Sequence, residues 1–426
     1  MTASGSYWRR VQGLQPSAKL YLACTAFQSV AMSLSMLLFN LYLISMGFDA
    51  AFIGLNSALV SGARLVCAIP AGYVADRIGR KRAMVVGLAG TAVARFGLAV
   101  LTQGWLILTS NVLAGVFGAL FITSVAPFLT ENSTDEQRAM LFTVDSSLMN
   151  LASFVAATGG GYLPGVFAAL LRVGPESAEA YRAVMVIAAG TTALALLPVV
   201  MIREGHRPVS RLRASGVSWR FWRRISNPAM LVKLVLPRTL VAFGAGLVFP
   251  FLNLFFKDRF GISDATLGWI FGINNVLAAA VMLWGGTVAE RLGKMRAMFY
   301  ARSLSVPGLL VIGFVPSLPA VVVAHWARSG LMRLGDPLYM AYAMEQLSAD
   351  ERATGSSLLS TGWNVGWSLG PYVSGLLLPQ TGWGPLFLGT IVFYTISLAC
   401  VYLFFVRGQT DDGGPTTVDR GLTTVD

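Results

Sequence analysis

Long apolar stretches separated by short polar segments recur along the whole chain. A helix needs about 20 mostly apolar residues to cross the hydrocarbon core of a bilayer. Twelve stretches meet this requirement, so the pattern predicts an all-α polytopic membrane protein with twelve transmembrane helices. We number these stretches spans 1 to 12 and place them at residues 20–46, 51–75, 83–102, 105–130, 139–170, 180–202, 229–256, 264–289, 297–315, 318–344, 353–379 and 383–406.

The composition supports the same class of protein. Only 12% of the residues are charged and 55% are hydrophobic, with a mean hydropathy of +0.64. Soluble domains carry about a quarter of their residues as Asp, Glu, Lys or Arg, because a surface in water needs them. The 45 glycines and 18 prolines are spread among apolar runs, which excludes a collagen-like or disordered chain. Lipid is therefore expected to be the main solvent of this chain.

Few residues are available for catalysis or metal binding. His206 and His325 are the only histidines, which excludes a multi-histidine zinc or haem centre. The only Gly-Lys pair is followed by Met295 instead of Ser or Thr, so it does not form a phosphate-binding loop. The cysteines lie far apart inside apolar segments and have no metal-ligand spacing: Cys24, Cys67 and Cys400. We expect no enzymatic activity, no metal site and no cofactor.

The basic residues are distributed unevenly between the two sides of the predicted membrane. If both termini are cytoplasmic, the inside segments hold 21 of the 32 Lys and Arg residues. The outside segments hold only Arg172, Arg182, Lys257 and Arg259. Because basic segments resist translocation, we expect a multi-pass protein of the cell (inner) membrane with both termini cytoplasmic. The net charge of +12 follows from this topology and favours contact with anionic membrane lipids rather than nucleic acid.

The longest inside connection divides the chain into two halves of six spans. Within it, residues 217–225 alternate Trp and Phe with Arg. This alternation fits a short helix in the lipid headgroup region as well as an unstructured basic linker. We place a cytoplasmic N-terminal segment, an N-terminal bundle, a basic linker, a C-terminal bundle and a disordered cytoplasmic tail at residues 1–19, 20–202, 203–228, 229–406 and 407–426.

The two halves repeat a motif in the connection after their second span. The first copy, GYVADRIGRKR, begins at Gly72, and the second, GTVAERLGK, begins at Gly286, an offset of 286 − 72 = 214 residues. The same offset relates Glu131 to Glu345, Arg138 to Arg352 and Asn150 to Asn364, and an offset of 213 relates Asn40 to Asn253. Agreement at one shift in separate places indicates an internal duplication.

The chain resembles the major facilitator superfamily of secondary transporters over residues 20–406. The resemblance rests on twelve spans in two halves, a basic central loop and the GxxxDRxGRK signature after span 2. It implies two six-helix bundles that rock about a site near the membrane midplane and open it to each side in turn. It also implies that spans 1, 4, 7 and 10 line the site and that spans 2, 5, 8 and 11 form the seam between the bundles.

The signature has a physical interpretation as a gate. Gly72 permits close approach of a neighbouring helix, Gly79 permits a tight turn, and Asp76 accepts hydrogen bonds from amides at a facing helix N-terminus. The basic residues then bind acidic groups of the other half when the cytoplasmic side is closed. The predicted gate residues are Gly72, Asp76, Arg77, Gly79, Arg80 and Lys81 and, in the second copy, Gly286, Glu290, Arg291 and Gly293. The alternative, a purely topological signal, explains the basic residues but not the aspartate or the glycines.

Two positions depart from the pattern of drug–proton antiporters in this superfamily. Those proteins carry Arg-x-x-x-Gly in span 4, where this chain has Asn111 four residues before Gly115. They also carry Gly-x-x-x-Gly-Pro in span 5, where this chain has Gly159-Gly160-Gly161 without an adjoining proline. The motifs therefore do not favour multidrug export.

Span 10 has one polar face. At 100° per residue, an arc of about 140° contains His325, Arg328, Met332, Arg333, Asp336 and Tyr339. Charged side chains within a membrane usually face protein or a water-filled cavity, so we expect this face to line the transport site. The alternative is a local ion pair between Arg333 and Asp336, which leaves His325 and Arg328 unexplained.

Spans 1, 4 and 7 supply further candidates for the cavity wall. Ser33 and Asn40 lie on one stripe of span 1, and Arg238 and Asn253 lie on one side of span 7. Asn111 of span 4 completes this set. Small and polar residues also suit close helix packing in lipid, so packing is an equal alternative for span 1.

The charges within the spans are mostly positive. Seven are basic, namely Arg64, Arg95, Lys233, Arg238, Arg302, Arg328 and Arg333, whereas only Asp145 and Asp336 are deeply placed acids. Lys233 and Arg302 are expected to reach the cytoplasmic surface. A positive cavity favours an anionic solute, held through bidentate arginine contacts.

The coupling ion is expected to be a proton, with sodium as the alternative. Asp145, Asp336 and His325 are candidate proton carriers, because carboxylates and imidazoles exchange protons. Arg64 is a further candidate for coupling or gating. For Arg64 and Asp145, a purely structural charge is the alternative.

These observations together predict secondary active transport of a small anionic or amphipathic organic solute by a monomer. Transport is expected to proceed by alternating access across the cytoplasmic membrane. Efflux of drugs or lipid-like amphiphiles is the alternative within transport, favoured by the many Met, Phe and Trp residues. A non-transporting receptor or scaffold on the same fold is the alternative from another class.

Overall fold

The fold is given by a computed structural model that describes residues 13–202, 227–348 and 351–407. These ranges are helical almost throughout, which confirms the predicted all-α architecture. The candidate headgroup helix at residues 217–225 and the predicted tail after residue 407 lie outside the described residues.

The twelve predicted spans are helical, and their ends agree with the hydropathy pattern to within about four residues. Spans 1 to 6 are Pro16–Ser45, Ala50–Ile78, Arg80–Val100, Gly104–Glu131, Asp135–Gly160 with Leu163–Leu171, and Ala178–Leu194 with Leu196–Met201. Spans 7 to 12 are Pro228–Val248 with Leu252–Phe260, Asp264–Leu292, Lys294–Phe314, Leu318–Glu345, Arg352–Thr381, and Trp383–Val401 with a π-helical turn at Tyr402–Val406.

Ten of these segments are long and apolar enough to cross a membrane by composition alone. The other two are spans 10 and 11, which are equally long but carry more polar side chains. A polar helix is stable in a membrane when protein or water covers its polar face. The two least apolar spans are therefore the ones whose faces matter most for a transport site.

Two spans are broken near the same end of the molecule. Span 5 stops at Gly160 and resumes at Leu163, and span 7 is interrupted by a 3₁₀ turn at Phe249–Phe251. Pro250 lies in that turn and has no backbone N–H to continue the α-helical ladder. The break leaves backbone carbonyls of span 7 free to accept other hydrogen bonds.

The helices form two bundles of six, joined by two pairs of seam helices. Span 2 packs against span 11, and span 5 packs against span 8. This is the seam that the sequence resemblance implies. A buried apolar cluster also crosses between the bundles, from Leu34 and Leu38 of span 1 to Phe255 and Phe256 of span 7.

Four glycines permit the closest approach of the bundles. A β-carbon on Gly54 would lie 3.0 Å from the α-carbon of Gly375, and one on Gly268 would lie 3.1 Å from the α-carbon of Gly161. The offset of 214 relates Gly54 to Gly268 and Gly161 to Gly375, so the two crossings are equivalent. We call this end, with the connections after spans 1, 5, 7 and 11, the closed end. The opposite end, with the signature motifs, is the basic end.

Equivalent ion pairs at the basic end extend the duplication to side chains. Arg80 Nε lies 3.9 Å from Glu131 Oε1, and Lys294 Nζ donates to Glu345 Oε1. The offset of 214 relates the two pairs, and each joins the third and fourth spans of its own bundle. Since all four side chains are partly exposed, each pair contributes at most about 1 kcal/mol.

Candidate functional site

Asn40 and Asn253, predicted as cavity residues, meet each other across the two bundles. Asn40 Nδ2 donates to Asn253 Oδ1 at 3.1 Å and to the carbonyl of Pro250 at 2.6 Å. Asn253 Nδ2 donates to the carbonyl of Leu37 at 2.9 Å. Asn253 is 2% exposed, and a buried amide requires such partners. In this conformation the pair joins the bundles at the closed end rather than lining an open space.

A polar cluster bridges the bundles further out at the closed end. Lys257 Nζ donates to Asp264 Oδ1 and to Glu176 Oε1, both at 2.6 Å. Tyr181 OH donates to Asp264 Oδ2 at 2.9 Å. Glu176 and Tyr181 belong to the N-terminal half, whereas Lys257 and Asp264 belong to the C-terminal half. The cluster borders a cavity of about 550 Å³ that also contacts Trp383.

The glycines of the signature form tight turns at the basic end. Gly79 and Gly293 have φ values of 92° and 79°, a region that favours glycine. Gly72 differs from its prediction, because a β-carbon there would meet no atom within 4 Å. The close approach of the seam lies at the opposite end, so Gly72 has free space in this conformation.

Asp76 also differs from its prediction. Its carboxylate pairs with Arg80 at the start of the next helix, not with amides at a facing helix N-terminus. An ionised side chain one turn away is a stronger partner than a helix dipole, which explains the difference. The guanidinium of Arg77 lies 4.5 Å from the ring centroid of Tyr73 in its own half.

The other signature residues occupy equivalent places at the basic end. Lys81 is half-buried near the start of span 3, and Glu290 and Arg291 are exposed at the end of span 8. Gly286 lies within span 8. Their predicted role as a gate stays a prediction.

His325 and Arg328 lie inside the C-terminal bundle, unlike the predicted open cavity wall. They are 4% and 5% exposed. The ring of His325 packs near those of Phe256 and Phe271, with centroids 6.0 and 5.9 Å away. Arg328 Nη2 donates to Tyr394 OH at 2.6 Å. Aromatic side chains of spans 7, 8 and 12 cover this part of the span 10 face, which the sequence of span 10 alone does not reveal.

Asp336 pairs with an arginine of span 9 rather than with Arg333. Arg302 Nη2 donates to Asp336 Oδ1 at 2.8 Å, and Arg333 Nη2 donates to Asn275 Oδ1 of span 8 at 3.4 Å. Arg302 is 2% exposed, so the expectation that it reaches the surface is wrong. The Asp336 carboxylate attracts the Arg302 guanidinium inward, because a buried charge needs an opposite charge at short distance.

Besides Arg259 at the end of span 7, three arginines of the C-terminal bundle lie over aromatic rings, an arrangement that stabilises a cation. The distances from guanidinium carbon to ring centroid are 5.1 Å for Arg238 and Trp363, 5.2 Å for Arg302 and Tyr339, and 3.7 Å for Arg328 and Phe249. Within the described ranges, only Arg302 among them has a carboxylate oxygen within 4.0 Å. Tyr339 is fully buried and donates to the carbonyl of Leu234.

Away from its helix ends, the N-terminal bundle holds one acid, Asp145, and two half-buried arginines, Arg64 and Arg95. Thr25 Oγ1 donates to Asp145 Oδ1 at 2.7 Å, between spans 1 and 5. Arg95 Nη1 donates to Thr192 Oγ1 at 2.7 Å, and Arg64 Nε is buried without a hydrogen-bond partner. The acid therefore has a neutral partner, unlike Asp336.

Two predicted cavity residues of the N-terminal bundle make packing contacts within it. Ser33 Oγ donates to the carbonyl of Ser153 at 3.0 Å, and Asn111 Nδ2 donates to the carbonyl of Asn56 at 3.3 Å. These contacts favour the packing alternative for Ser33, and they place Asn111 between packed helices as well in this conformation.

Several residues of the site were missed from the sequence. Trp363 and Trp367 carry a signal that could have found them, because two tryptophans four residues apart share one face of a helix. Thr25 and Tyr394 carry no such signal, since their importance depends on a partner from another helix.

The family model of the Major Facilitator Superfamily matches residues 21–239 and again residues 234–425. The two matches correspond to the two bundles. The chain belongs to the major facilitator superfamily. It is therefore a multi-pass membrane transporter, from a family of transporters rather than of enzymes.

Similar proteins are transporters with different substrates. The chain is 22% identical to multidrug resistance protein 2 of Bacillus subtilis over 363 residues, which cover 84% of this chain and 88% of that one. It is 24% identical to the lincomycin resistance protein of Streptomyces lincolnensis over 169 residues, but these cover only 39% of this chain and 34% of that one.

Among solved structures, a bacterial homologue of the human lysosomal transporter Spinster, in an inward-facing and occupied conformation, has a TM-score of 0.75. It is 16% identical, and the alignment covers 91% of this chain and 95% of that one. At this identity the likeness shows the superfamily fold and no substrate.

Proposed function

We propose that this superfamily member carries a small organic anion across the cytoplasmic membrane by alternating access, coupled to protons. The observation that carries the proposal is the unpaired positive charge of the C-terminal bundle. Arg238 and Arg328 have no carboxylate oxygen within 4.0 Å among the described residues. A buried charge without a counter-ion costs several kcal/mol, which a bound anion offsets.

The distribution of contacts between the bundles supports alternating access. Close backbone contacts and the Asn40–Asn253 pair gather at the closed end. At the basic end, the Arg80–Glu131 and Lys294–Glu345 pairs join helices of the same bundle. Such pairs persist when the bundles separate. With the basic end in the cytoplasm, as its arginines and lysines predict, the described conformation corresponds to an inward-facing state.

Asp145 is the preferred proton carrier in this proposal. Its partner Thr25 is neutral, so uptake of a proton leaves no charge behind. Protonation of Asp336 would instead leave Arg302 as a buried cation without a counter-ion. The two carboxylates lie in different bundles, so Asp145 can be protonated without breaking the charge pair of the C-terminal bundle.

A thermal-stability screen of the purified full-length protein tests the charge of the substrate. A solute that binds the folded protein raises its melting temperature, and we compare organic anions with cations and neutral solutes of matched size. We expect anions to raise it, and Arg238→Gln to abolish that rise. Arg172→Gln, at an exposed position after span 5, is the matched control and should retain it. A rise with cations alone would overturn the proposal.

Efflux of amphipathic drugs is the second candidate, because the wall near Arg238 also carries apolar side chains. A buried cluster that includes Tyr394 is contacted by partly buried side chains, among them Phe249, Met332, Trp363 and Trp367. The similarity to multidrug resistance protein 2 points in the same direction. In the same screen, this function predicts stabilisation by structurally unrelated amphiphiles of either charge.

A further inference from the structure

The wall of the C-terminal bundle around Arg238 combines a cation with flat aromatic surface. Trp363 and Trp367 lie one turn apart on span 11, and their rings are parallel, with centroids 5.9 Å apart and an interplanar angle of 10°. Both are partly exposed, and both pack, like Met332, against the buried cluster that contains Val241, Ala245 and Tyr394. The guanidinium carbon of Arg238 lies 5.1 Å from the ring centroid of Trp363.

Two hydrogen-bond donor atoms of the Arg238 guanidinium are unused. Its Nε and Nη1 atoms are buried and have no hydrogen-bond partner. Asp336 is near enough to influence Arg238 electrostatically, but its carboxylate is already paired with Arg302 at 2.8 Å. The uncompensated charge at this wall is therefore positive. A guanidinium fork matches the two oxygens of a carboxylate, so an acid suits this position better than an amine.

The tryptophan pair determines which non-polar group of such an acid fits the wall. A planar ring gains offset stacking and dispersion on an aromatic surface, which a puckered saturated ring of the same size gains only in part. A ring inserted between two others requires a centroid separation of about 7 Å, so the 5.9 Å gap excludes insertion. A ligand ring therefore contacts the outer faces or edges of the pair.

We propose that Arg238, Trp363 and Trp367 form a subsite for an aromatic monocarboxylate, with its carboxylate on Arg238 and its ring on the tryptophan pair. The subsite rests on the proposed transport of an organic anion and specifies the class of that anion. We assign one carboxylate to the subsite, because Arg302 already has a carboxylate partner and Arg328 is only 5% exposed inside the bundle. Arg302 is bound to Asp336, and Arg328 is bound to Tyr394.

Three ligands of similar size test the carboxylate contact and the ring contact of the proposal separately. Calorimetric titration of the full-length protein in lipid nanodiscs compares benzoate with cyclohexanecarboxylate, which keeps the charge, and with benzamide, which keeps the ring. We expect benzoate to bind about 3- to 10-fold more tightly than cyclohexanecarboxylate, in line with one aromatic pair. We expect benzamide to bind at least about 10-fold more weakly than benzoate, because it lacks the charge.

Variants assign each preference to its side chain. Trp367→Leu should reduce benzoate affinity to that of cyclohexanecarboxylate, and Arg238→Gln should abolish the preference for benzoate over benzamide. Trp105→Leu and Arg172→Gln, both exposed and outside the wall, are the matched controls and should preserve both preferences. If a wall variant fails to fold, the three-ligand comparison on the unchanged protein still decides the proposal.

The outcomes distinguish this proposal from the function on which it rests. Equal binding of benzoate and cyclohexanecarboxylate, lost in Arg238→Gln, would overturn the aromatic subsite and leave anion transport standing. Absence of binding by all carboxylates, or binding by benzamide as tight as by benzoate, would overturn both.

Discussion

Contacts between individual side chains stabilise the closed end. The burial of each side chain determines how much free energy its contact contributes. The amides of Asn40 and Asn253 form hydrogen bonds between the bundles, and Asn253 is 2% exposed. The Lys257–Glu176 pair also joins the bundles, but the Glu176 side chain is 70% exposed. An exposed pair contributes at most about 1 kcal/mol, whereas an unsatisfied buried amide costs about 1–3 kcal/mol. The asparagines are therefore a stronger lock than the Lys257–Glu176 pair.

Replacement of Asn253 by Ala should weaken the closed end. The substitution removes its hydrogen bonds between bundles, and we expect the closed conformation to lose about 1–3 kcal/mol relative to conformations open at that end. Spin labels at Arg172→Cys and Phe314→Cys, one in each half, report this as a longer and broader distance distribution. Asn150→Ala is the control, because Asn150 donates to the Ser146 carbonyl in its own helix. Unchanged distances in Asn253→Ala would show that the pair is not a lock.

At the scale of helices, glycine fixes where the seam can close. The crossings of spans 2 and 11 and of spans 5 and 8 place backbone against backbone, with Gly54 facing Gly375 and Gly161 facing Gly268. Helices that touch at glycine approach more closely than side chains allow, and lipid offers no competing hydrophobic gain. Each crossing is therefore a contact that a larger residue abolishes.

Two leucine substitutions on span 2 test this directly. A β-carbon on Gly54 would overlap the carbonyl oxygen of Pro371, whereas one on Gly72 would meet no atom within 4 Å. We expect Gly54→Leu to open the closed end in the label-distance measurement, and Gly72→Leu to leave the distances between labels unchanged. Equal effects of the two substitutions would contradict the role of the glycine crossing.

Helix positions could be predicted from the sequence, but the partners of polar faces could not. Each span must satisfy its backbone hydrogen bonds internally in lipid, so length and hydropathy suffice to locate it. The helical angle of 100° per residue predicted that Arg328 and Asp336 share one face of span 10. Their environments depend on Tyr394 and Arg302 from other helices, which no pattern within span 10 encodes. The same reason explains why Asn40 and Asn253 were recognised as equivalent but not as partners.

At the scale of the molecule, charge is divided unequally between the bundles, and the proposed mechanism gives the two bundles different functions. The C-terminal bundle holds the stacked arginines, with Asp336 already paired. The N-terminal bundle holds Asp145, an acid with a neutral partner. In the proposed mechanism, one bundle therefore binds the anion and the other carries the proton. Relative motion of the bundles then couples the two events.

Replacement of Asp145 by Asn should separate coupling from transport. Asn keeps an oxygen to accept the Thr25 hydrogen bond but cannot carry a proton. In proteoliposomes we expect the variant to retain exchange of solute and to lose uphill accumulation driven by a pH gradient. Asp49→Asn, an exposed helix cap after span 1, serves as control and should keep both activities. Accumulation by Asp145→Asn at the unchanged rate would remove this residue from coupling, and accumulation that follows sodium alone would assign coupling to sodium.

Counterflow of an aromatic anion tests the transport of organic anions most directly. Proteoliposomes loaded with unlabelled benzenesulfonate, which stays ionised and crosses bare lipid slowly, are diluted into a trace of the labelled compound. We predict transient accumulation of label with the unchanged protein and with Arg172→Gln, and none with Arg238→Gln. Accumulation that persists in Arg238→Gln, or exchange of cationic amphiphiles without exchange of any organic anion, would contradict the account.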